Sequence, residues 1–499
     1  MRFAFSSSKS FSIFCIFLAG LSLSGCEKYV TPQVRNQEAK EPGSHVLHSL
    51  FGKTTSTLPV EGIVVADEPQ ASIAGRDVLA RGGNAVDAAV AASLAMAVTL
   101  PSRASFGGGG ACLLAKDKEY HAFLFLPRSG GEEKPTVPPE RPASVPMLAR
   151  GLYLMQDRFG SVVFSDDVIA ARRFAQRGIR VSSQLAKDLE AVKTPLFADP
   201  GMRAAFGKGV NEKGEVQPLK VGDSLIQRQL GGFLEQIEKQ GIGDLYGGSL
   251  GDSYVEGVNK AGGGLIREAL RSSLPTEVSP IEVDLPATTG HAWRGIFLPP
   301  PTDGGMAAAI ALKKEGAAEQ AAALWRYLDE NGQPLSPKDF MNSPLSSERF
   351  SLPPLPASSS VLARDEKGMQ VACVLSAGNL FGTGRMAGRS GVVIGTSPES
   401  RPAPLYAAGM IFSKQGNPQA IATATGQAAA STSLADHLAA FMAHPAEMSI
   451  KAPPQKERPS PEEAGNAIFC GSAELADCRG VAENVSGLAI RQRSREFQH

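Results

Sequence analysis

The sequence has 499 residues, and its 50 Lys and Arg residues balance its 50 Asp and Glu residues, so the formal net charge is zero. A neutral chain gives no electrostatic case for binding nucleic acid or an acidic partner. The 42% content of hydrophobic residues and the 53 glycines are typical of a large globular α/β protein with many turns.

Residues 1–25 predict a signal peptide. Arg2 and Lys9 form a basic start, and the apolar stretch 11–23 is too short to span a membrane as a stable helix. The stretch ends in the letters LSGC, which are similar to a bacterial lipobox and place its cysteine at Cys26. We expect an exported protein that Cys26 anchors to a membrane by a lipid, facing the periplasm. The alternative is an ordinary signal peptide followed by a chance cysteine.

The polar segment 26–57 is interpreted as a tether from the lipid anchor. The remainder predicts one large domain, because only the two ends have the composition of a linker. A short strand at 62–66 precedes two helices, and the second of these, at 84–98, is apolar on nearly every face and therefore buried. Asp223 is predicted to cap a helix that runs to about Gln240.

The second half of the chain alternates helical and strand patterns. A helix is predicted at 306–322, strands are predicted at 360–375, 392–395, 409–413 and 419–424, and a further helix is predicted near 431–443.

Two short glycine motifs suggest chemistry that their context does not support. The glycines at 107–110 could cradle a phosphate, but no Gly-Lys-Ser/Thr follows, so a tight buried turn is favoured. The segment 247–251 matches the G-x-S-x-G nucleophile elbow, which needs a strand before it. Here the preceding pattern is helical, so we interpret this glycine as the C-cap of a helix.

The cysteines predict one disulfide bond and no metal site. Export permits oxidation, and Cys470 and Cys478 flank a short polar loop. Cys112 and Cys373 lie in apolar runs and are expected to be buried thiols. The seven histidines show no metal-binding spacing, so we expect neither a metal nor a cofactor.

Residues 358–384 predict a β-hairpin that ends in a glycine-spaced loop. Ser358 stands at the start of the first strand. If the peptide bond before it were cut, Ser358 would carry both a hydroxyl nucleophile and a free α-amine able to act as its base. Clusters of Ser and Pro also mark loops, so an ordinary surface turn is the alternative.

Several segments together resemble the γ-glutamyltransferases (γ-glutamyltranspeptidases), a family of N-terminal-nucleophile hydrolases. They cover roughly residues 58 to 440 in family order, and agreement across independent segments is hard to reach by chance. The resemblance implies a four-layer αββα sandwich, an α/β (α+β) fold. It also implies a proenzyme that cuts itself into a large fragment, here 58–357, and a small fragment, here 358–499, of one domain. The segments include ADEPQASIAGRDVLARGGNAVDAAVAASLAMAVTLP, FGGGGACL, VGDSLIQRQLGGFLEQIEKQGIGDLYGG, LPPPTDGG and FGTGRMAGRSGVVI.

The resemblance also implies roles for individual residues. Ser358 takes the place of the family's threonine nucleophile, and Ser359 is the hydroxyl residue after it, which we expect to bind substrate. Ser376 takes the place of a threonine that hydrogen-bonds the nucleophile. The backbone N–H groups of Gly426 and Gln427 correspond to the oxyanion hole.

The residues that would hold the glutamyl head group match the family only in part. Arg128 corresponds to the arginine that binds the α-carboxylate of the substrate, but Ser129 replaces the acidic residue that follows it. Two serines of the carboxylate site and the Asn and Asp of the amine site correspond here to Tyr406, Ala407, Gly378 and Ser400.

The sequence therefore predicts a cofactor-free amide hydrolase or acyltransferase that acts on glutathione or another small γ-glutamyl compound. Its own two fragments would be each other's partners. Two alternatives stay open. One is a catalytically inactive member that serves as a binding or structural periplasmic lipoprotein, and the other is an acylase with changed specificity.

Overall fold

Two stacked antiparallel sheets carry the fold. A computed structural model describes residues 60–132, 136–288, 290–314, 317–333, 335–450, 464–472, 474–483 and 486–493. Residues 57–499 form one compact unit. The predicted signal peptide, the whole predicted tether and Cys26 lie outside the described residues. No helix in the described ranges is long and apolar enough to cross a membrane.

The strands, in chain order, are β1 Val60–Ala66, β2 Gly109–Lys116, β3 Glu119–Phe125, β4 Ile179–Arg180, β5 Gly207–Val210, β6 Val216–Pro218, β7 Ser224–Leu225, β8 Thr276–Val278, β9 Ile281–Thr288, β10 His291–Phe297, β11 Ser359–Asp365, β12 Gln370–Ser376, β13 Ala407–Ser413, β14 Pro418–Thr425, β15 Ala464–Cys470, β16 Cys478–Ala482 and β17 Leu488–Arg493.

The helices are α1 Pro69–Leu79, α2 Ala85–Thr99, α3 Leu148–Phe159, α4 Phe164–Arg177, α5 Ser183–Leu196, α6 Pro200–Phe206, α7 Arg228–Gln240, α8 Gly243–Gly247, α9 Ser249–Lys260, α10 Arg267–Ser272, α11 Gly304–Lys313, α12 Ala318–Glu330, α13 Pro337–Asn342, α14 Ala430–Ala443 and α15 Pro445–Ile450.

The first sheet has the strand order β17-β1-β11-β12-β2-β3-β8, and the second has the order β16-β15-β14-β13-β10-β9. Successive side chains of a strand point to opposite faces. In β11, Val361 and Ala363 therefore join the core under the helices, whereas Leu362 joins the core between the two sheets. Because both faces of β11 are covered, all seven of its residues are buried, including Arg364 and Asp365.

Helices cover the outer face of each sheet. The buried helix predicted from the sequence is α2: all 15 of its residues are buried, and it packs against β11 and β12. The side chain of Asn84 accepts two backbone N–H groups at its start, which satisfies donors that a helix end otherwise leaves free. On the second sheet, α11 and α14 pack against β13. The four-layer αββα sandwich implied by the resemblance is confirmed.

Three local predictions are wrong. The helix assigned to Asp223 begins at Arg228, because the carboxylate of Asp223 accepts the N–H of Lys220 and closes a turn before β7. The single helix predicted at 306–322 is two helices, α11 and α12. The predicted strand at 392–395 is an irregular segment in which Val393 makes an isolated bridge to Met386.

Two disulfide bonds tie neighbouring strands together. The expected bond between Cys470 and Cys478 is present and joins β15 to β16. The expectation of free thiols at Cys112 and Cys373 is wrong, because these residues are bonded, with their Cα atoms 4.1 Å apart. They are direct partners in the register of β2 and β12. This pairing depends on tertiary register, which the apolar character of each run does not reveal.

We predict that the two disulfide bonds differ in their contribution to stability. Peptide mapping without reductant should give the linked pairs Cys112–Cys373 and Cys470–Cys478. In the chain-entropy model the bond spanning 261 residues stabilises by up to roughly 5 kcal/mol, and the bond spanning 8 residues by roughly 2–3 kcal/mol. In a Ser358→Ala background, in which the chain is expected to stay uncut and each bond closes a loop, the double variant Cys112→Ala/Cys373→Ala should therefore lose more unfolding free energy than Cys470→Ala/Cys478→Ala. Alkylatable thiols at 112 and 373 in the oxidised protein would contradict this assignment.

Candidate active site

Ser358 lies at the start of a central strand. It directly precedes β11, which lies between β1 and β12 in the first sheet. Only 1% of its surface is exposed. By the alternation of the strand, Ser358 is on the same face as Leu362, which packs between the sheets. The structure therefore places the predicted nucleophile at the end of the space between the sheets and not in a surface turn.

The hydroxyl group of Ser376 contacts the peptide bond that precedes Ser358. Ser376 ends β12 and donates a hydrogen bond of 2.9 Å to the carbonyl oxygen of Ala357. The same hydroxyl accepts the N–H of Gly378 at 3.0 Å. The resemblance implied a bond to the nucleophile itself, whereas this uncut chain has the bond on the neighbouring carbonyl. A donor at that oxygen stabilises the negative charge that develops when the carbonyl carbon is attacked.

The glycine run at 107–110 is a tight buried turn, as the sequence predicts. A Cβ atom on Gly108 would lie 2.2 Å from the carbonyl oxygen of Ser376, and one on Gly107 would lie 2.4 Å from that of Val393. Only glycine permits backbones to approach this closely. The run therefore packs directly against the strand end that carries Ser376.

Asp67 and Asn466 form a buried polar cluster with Ser360. The Oδ2 atom of Asp67 accepts the N–H of Ser360 at 2.8 Å. The Nδ2 atom of Asn466 donates to Oδ1 of Asp67 and to Oγ of Ser360, each at 2.8 Å. Burial raises the pKa of Asp67 to about 6, an increase that the hydrogen bonds from Ser360 and Asn466 and the charge of Arg103 oppose. Sequence reasoning missed this cluster because Asp67 and Asn466 are 399 positions apart.

A second polar cluster lies on the helix side of the same strand end. The hydroxyl of Ser182 donates to the carboxyl group of Glu68, which is buried. Desolvation raises the pKa of Glu68 to about 8. The hydrogen bond from Ser182 lowers this pKa, and the charges of Asp67 and Asp188 raise it by smaller amounts. Ser359, predicted to bind substrate, points to this side. Its buried hydroxyl has no hydrogen-bond partner within the described residues.

Arg128 lies at the same edge of the first sheet, three strands away from β11. It follows β3 by three residues, so it is roughly 14 Å from β11 at about 4.8 Å per strand. Its side chain is exposed. Its carbonyl oxygen accepts the N–H of Val145, and Ser129 bridges to Ser144. This irregular ladder continues through Ala143 to Thr396.

Gly378 and Ser400 meet the other end of that ladder. Gly378 has φ +76°, and a Cβ atom there would lie 2.9 Å from the carbonyl oxygen of Thr396. Ser400 follows four residues after Thr396 and is exposed. Neither residue offers a charged group. The two positions that the resemblance assigned to the α-amine site therefore offer only backbone groups and one hydroxyl.

Tyr406 and Ala407 are buried at the start of β13. The hydroxyl group of Tyr406 has no hydrogen-bond partner in the described ranges, and burial raises its pKa. The ion pair of Asp303 and Arg326 lies near it and acts on that pKa in opposite directions. The two positions that the resemblance assigned to the carboxylate site thus carry a phenol and a methyl group.

Gly426 and Gln427 form the turn between β14 and α14. Gly426 has φ +132° and Gln427 has φ +58°, a left-handed conformation that is uncommon for a residue with a side chain. The strand before this turn, β14, packs against β11 across the space between the sheets. The turn that the resemblance assigned to the oxyanion hole therefore belongs to the sheet that faces the Ser358 strand.

Two other features lie outside this constellation. Ser249 of the G-x-S-x-G motif is exposed at the start of α9 and follows another helix, so the nucleophile-elbow geometry is absent. A cleft of about 330 Å³ is lined by Lys193, Phe197, Arg203 and Glu215, among others, and includes none of the residues described above.

Comparisons with known proteins identify the family of the chain and its fold. The sequence profile of the family described as Gamma-glutamyltranspeptidase matches residues 71–323, a match that ends before Ser358. The glutathione hydrolase proenzyme of Escherichia coli (strain K12) is 30% identical over 262 residues, which are 49% of this chain and 43% of that protein. Glutathione hydrolase 3 of Arabidopsis thaliana is 32% identical over 270 residues, 52% of this chain and 41% of that protein. The chain thus spans less than half the length of these curated relatives.

A solved structure extends the likeness of the fold to most of the chain. The crystal structure of a cephalosporin acylase from Bacillus halodurans superposes with a TM-score of 0.67 and 18% sequence identity. The superposition covers 90% of this chain and 98% of the acylase. At this identity the comparison establishes the fold alone.

We predict that stability falls as pH rises because Glu68 holds a proton in the folded state. Burial raises its pKa from an ordinary value of 4.5 to about 8 in the folded state, so the stabilisation is complete below pH 4.5 and is lost as the pH approaches 8. Glu68→Gln should flatten the fall of unfolding free energy between pH 5 and 8 by up to about 1.4 kcal/mol per pH unit. Denaturant unfolding across this range tests it, with the exposed Glu212→Gln as matched control. Parallel curves for the wild type and Glu68→Gln would contradict it.

Proposed function

The chain belongs to the gamma-glutamyltranspeptidase family, and we propose that it is an amide hydrolase or acyltransferase whose nucleophile, Ser358, is released by self-cleavage. One observation carries the proposal. The buried Ser358 follows a peptide bond whose carbonyl oxygen already accepts a hydrogen bond from Ser376. This is the arrangement that an attack of Ser358 on its own preceding carbonyl requires.

The cleavage step is an acyl shift followed by hydrolysis. The Oγ atom of Ser358 attacks the carbonyl carbon of Ala357, and Ser376 stabilises the oxyanion by its hydrogen bond. The C–N bond then breaks, the proton that Oγ has lost passes to the nitrogen, and an ester joins Ala357 to Oγ of Ser358. Water hydrolyses this ester, which leaves a carboxylate on Ala357 and a free hydroxyl and α-amine on Ser358.

The same hydroxyl then serves in turnover. The α-amine of Ser358 takes the proton of its own Oγ as that atom attacks the carbonyl carbon of an amide substrate. The leaving amine departs with a proton, and water or an amino acid then releases the acyl group. The N–H groups of the turn at Gly426 and Gln427 are the proposed second support for the oxyanion.

Two substrate classes follow from different observations. Two relatives are glutathione hydrolases, and Arg128 is exposed, which together favour γ-glutamyl compounds such as glutathione. Arg128 would bind the α-carboxylate of such a substrate. The uncharged set of Gly378, Ser400, Tyr406 and Ala407 favours an acylase that accepts a different acyl group. A third possibility, an inactive lipoprotein that retains the fold, is an outcome of the cleavage experiment.

We further propose that Cys26 carries a lipid that anchors the exported protein to a membrane. The proposal rests on the apolar stretch before Cys26 and on the small residues that directly precede it.

The wild type should cleave itself between Ala357 and Ser358. Because Cys112 and Cys373 join the two fragments, a mass spectrum should resolve them only after reduction. Ser358→Ala should remain one chain, and Ser376→Ala should cleave roughly 10²-fold more slowly, since it loses an oxyanion donor. Ser249→Ala is the matched control and should cleave like the wild type. A wild type that stays uncut after long incubation would support the inactive lipoprotein.

Turnover of a chromogenic γ-glutamyl anilide should be slow beside that of uncharged acyl anilides. Each charged hydrogen bond contributes roughly 1.5–3 kcal/mol, so the loss of two would lower kcat/KM by roughly 10²- to 10⁴-fold. The comparison should include Arg128→Ala, with the exposed Arg271→Ala as control. Efficient γ-glutamyl turnover that disappears only in Arg128→Ala would show a complete head-group site and contradict the expectation.

The lipid anchor predicts a simple difference in partitioning. The full-length wild type should enter the detergent phase of a Triton X-114 extract, and Cys26→Ser should stay in the aqueous phase. A wild type with a free N-terminus that remains in the aqueous phase would rule out the anchor.

A further inference from the structure

The buried carboxyl group of Asp67 binds the backbone of the strand that carries Ser358. Its Oδ2 atom accepts the N–H of Ser360 at 2.8 Å, and its own N–H donates to the carbonyl oxygen of Ser360 at 3.3 Å. Asp67 follows β1, so both contacts lie on the β1 side of β11. Both main-chain polar groups of Ser360 are thus held by one residue.

The N–H of Ser358 points toward the same side. The carbonyl oxygen of Ala357 binds Ser376, which lies on β12. The peptide bond between Ala357 and Ser358 is trans, because the cis bond of the described residues is Pro300–Pro301. In a planar trans peptide the C=O and N–H groups point in opposite directions. The nitrogen of Ser358 therefore faces away from β12, toward β1.

Cleavage would turn this nitrogen into a charged amine. Ser358 and Ser360 are two residues apart, so their nitrogens are separated by roughly 6.6 Å along the strand. The hydrogen bond from Ser360 to Asp67 is 2.8 Å long and runs roughly perpendicular to the strand, so the carboxyl oxygen is roughly 7 Å from the new α-amine. In a buried setting, charges at such distances interact strongly.

We propose that Asp67 is the counter-ion of the α-ammonium group that cleavage creates on Ser358. In this role it sets the pH at which the amine becomes a base. The inference rests on the proposed function and adds to it a residue outside the set implied by the family resemblance. Asp67 acts here as a positioning residue, since it is assigned no bond to the substrate.

The surroundings of Asp67 support a charged state near neutral pH. The groups that face it are Asn466 and Ser360 as hydrogen-bond donors, Arg103 as a cation, and Glu68 as the neighbouring acid. Arg103 is shared with Asp188, to which it is bound at 2.8 Å. With a pKa of about 6, Asp67 is ionised at the pH where an α-amine titrates.

The direction of the effect is fixed by charge. An ionised Asp67 stabilises the ammonium form of Ser358, so its removal lets the amine lose its proton at lower pH. In Asp67→Asn the apparent pKa of the amine should fall by about one unit, as expected for a charge at this distance. Asn466→Ala should shift it in the same direction by less, because loss of that hydrogen bond leaves Asp67 less ionised at a given pH.

Asp365 offers a matched control on the same strand. It is buried at the far end of β11 and accepts the backbone N–H groups of Ala85, Lys367 and Met369. It lies seven residues from Ser358, or roughly 23 Å along the strand. Asp365→Asn therefore removes a comparable buried carboxyl group without changing the charge near the amine.

Two measurements test the proposal on the full-length protein. The first is the acid limb of kcat/KM against pH for an acyl anilide. The second, which needs no turnover, is the pH dependence of acetylation of the Ser358 α-amine by acetic anhydride, followed by mass spectrometry of the small fragment. Both curves should move to lower pH in Asp67→Asn and Asn466→Ala and coincide with the wild type in Asp365→Asn.

The outcomes separate this inference from the proposed function. An uncut wild type has no α-amine at Ser358 and overturns both. If the wild type and Asp67→Asn are both cut and their acetylation curves coincide, the role of Asp67 is overturned and the proposed function stays in place. If Asp67→Asn does not fold or cleave, Asn466→Ala decides, and an unshifted curve in that variant overturns the inference.

Discussion

The hydrogen bond from Ser376 to the carbonyl oxygen of Ala357 is the contact around which the site is organised. It exists because β11 and β12 are neighbours whose register places the end of one beside the start of the other. A shift of one residue in this register would place Ser358 and Ser376 on opposite faces of the sheet and break their contact. The glycine run at 107–110 packs directly against the end of β12 that carries Ser376.

A cut at Ala357–Ser358 is compatible with this architecture because it falls just before a strand and not within one. β11 remains paired with β1 on one side and β12 on the other. The bond between Cys112 and Cys373 would also join the two fragments covalently. The newly freed serine would therefore stay where the uncut chain placed it, which is the preorganisation that an oxyanion site requires.

Polar groups at this strand end lie on both faces of the first sheet. Asp67 and Asn466 are on the side of the second sheet, and Glu68 is on the side of the helices. Burial raises the pKa of both acids, to about 6 at Asp67 and to about 8 at Glu68. At Asp67 the hydrogen bonds from Ser360 and Asn466 lower the pKa against the effect of burial. Two adjacent carboxyl groups thus differ in charge near pH 7, and the charged one faces the backbone of Ser360.

The sequence by itself determined the elements with strong local patterns: the buried α2, the hairpin of β11 and β12, the short loop between Cys470 and Cys478, and the family to which the segments belong. These are set by periodicity, turn residues and close spacing along the chain. Tertiary structure alone decided the bond between Cys112 and Cys373, the cluster of Asp67 with Asn466, and the contact of Ser376 with Ala357. It also decided where the helix after Asp223 begins. Except for that helix start, these depend on strand register and on which strands face each other, and such pairings between distant residues leave no periodic signal in the chain.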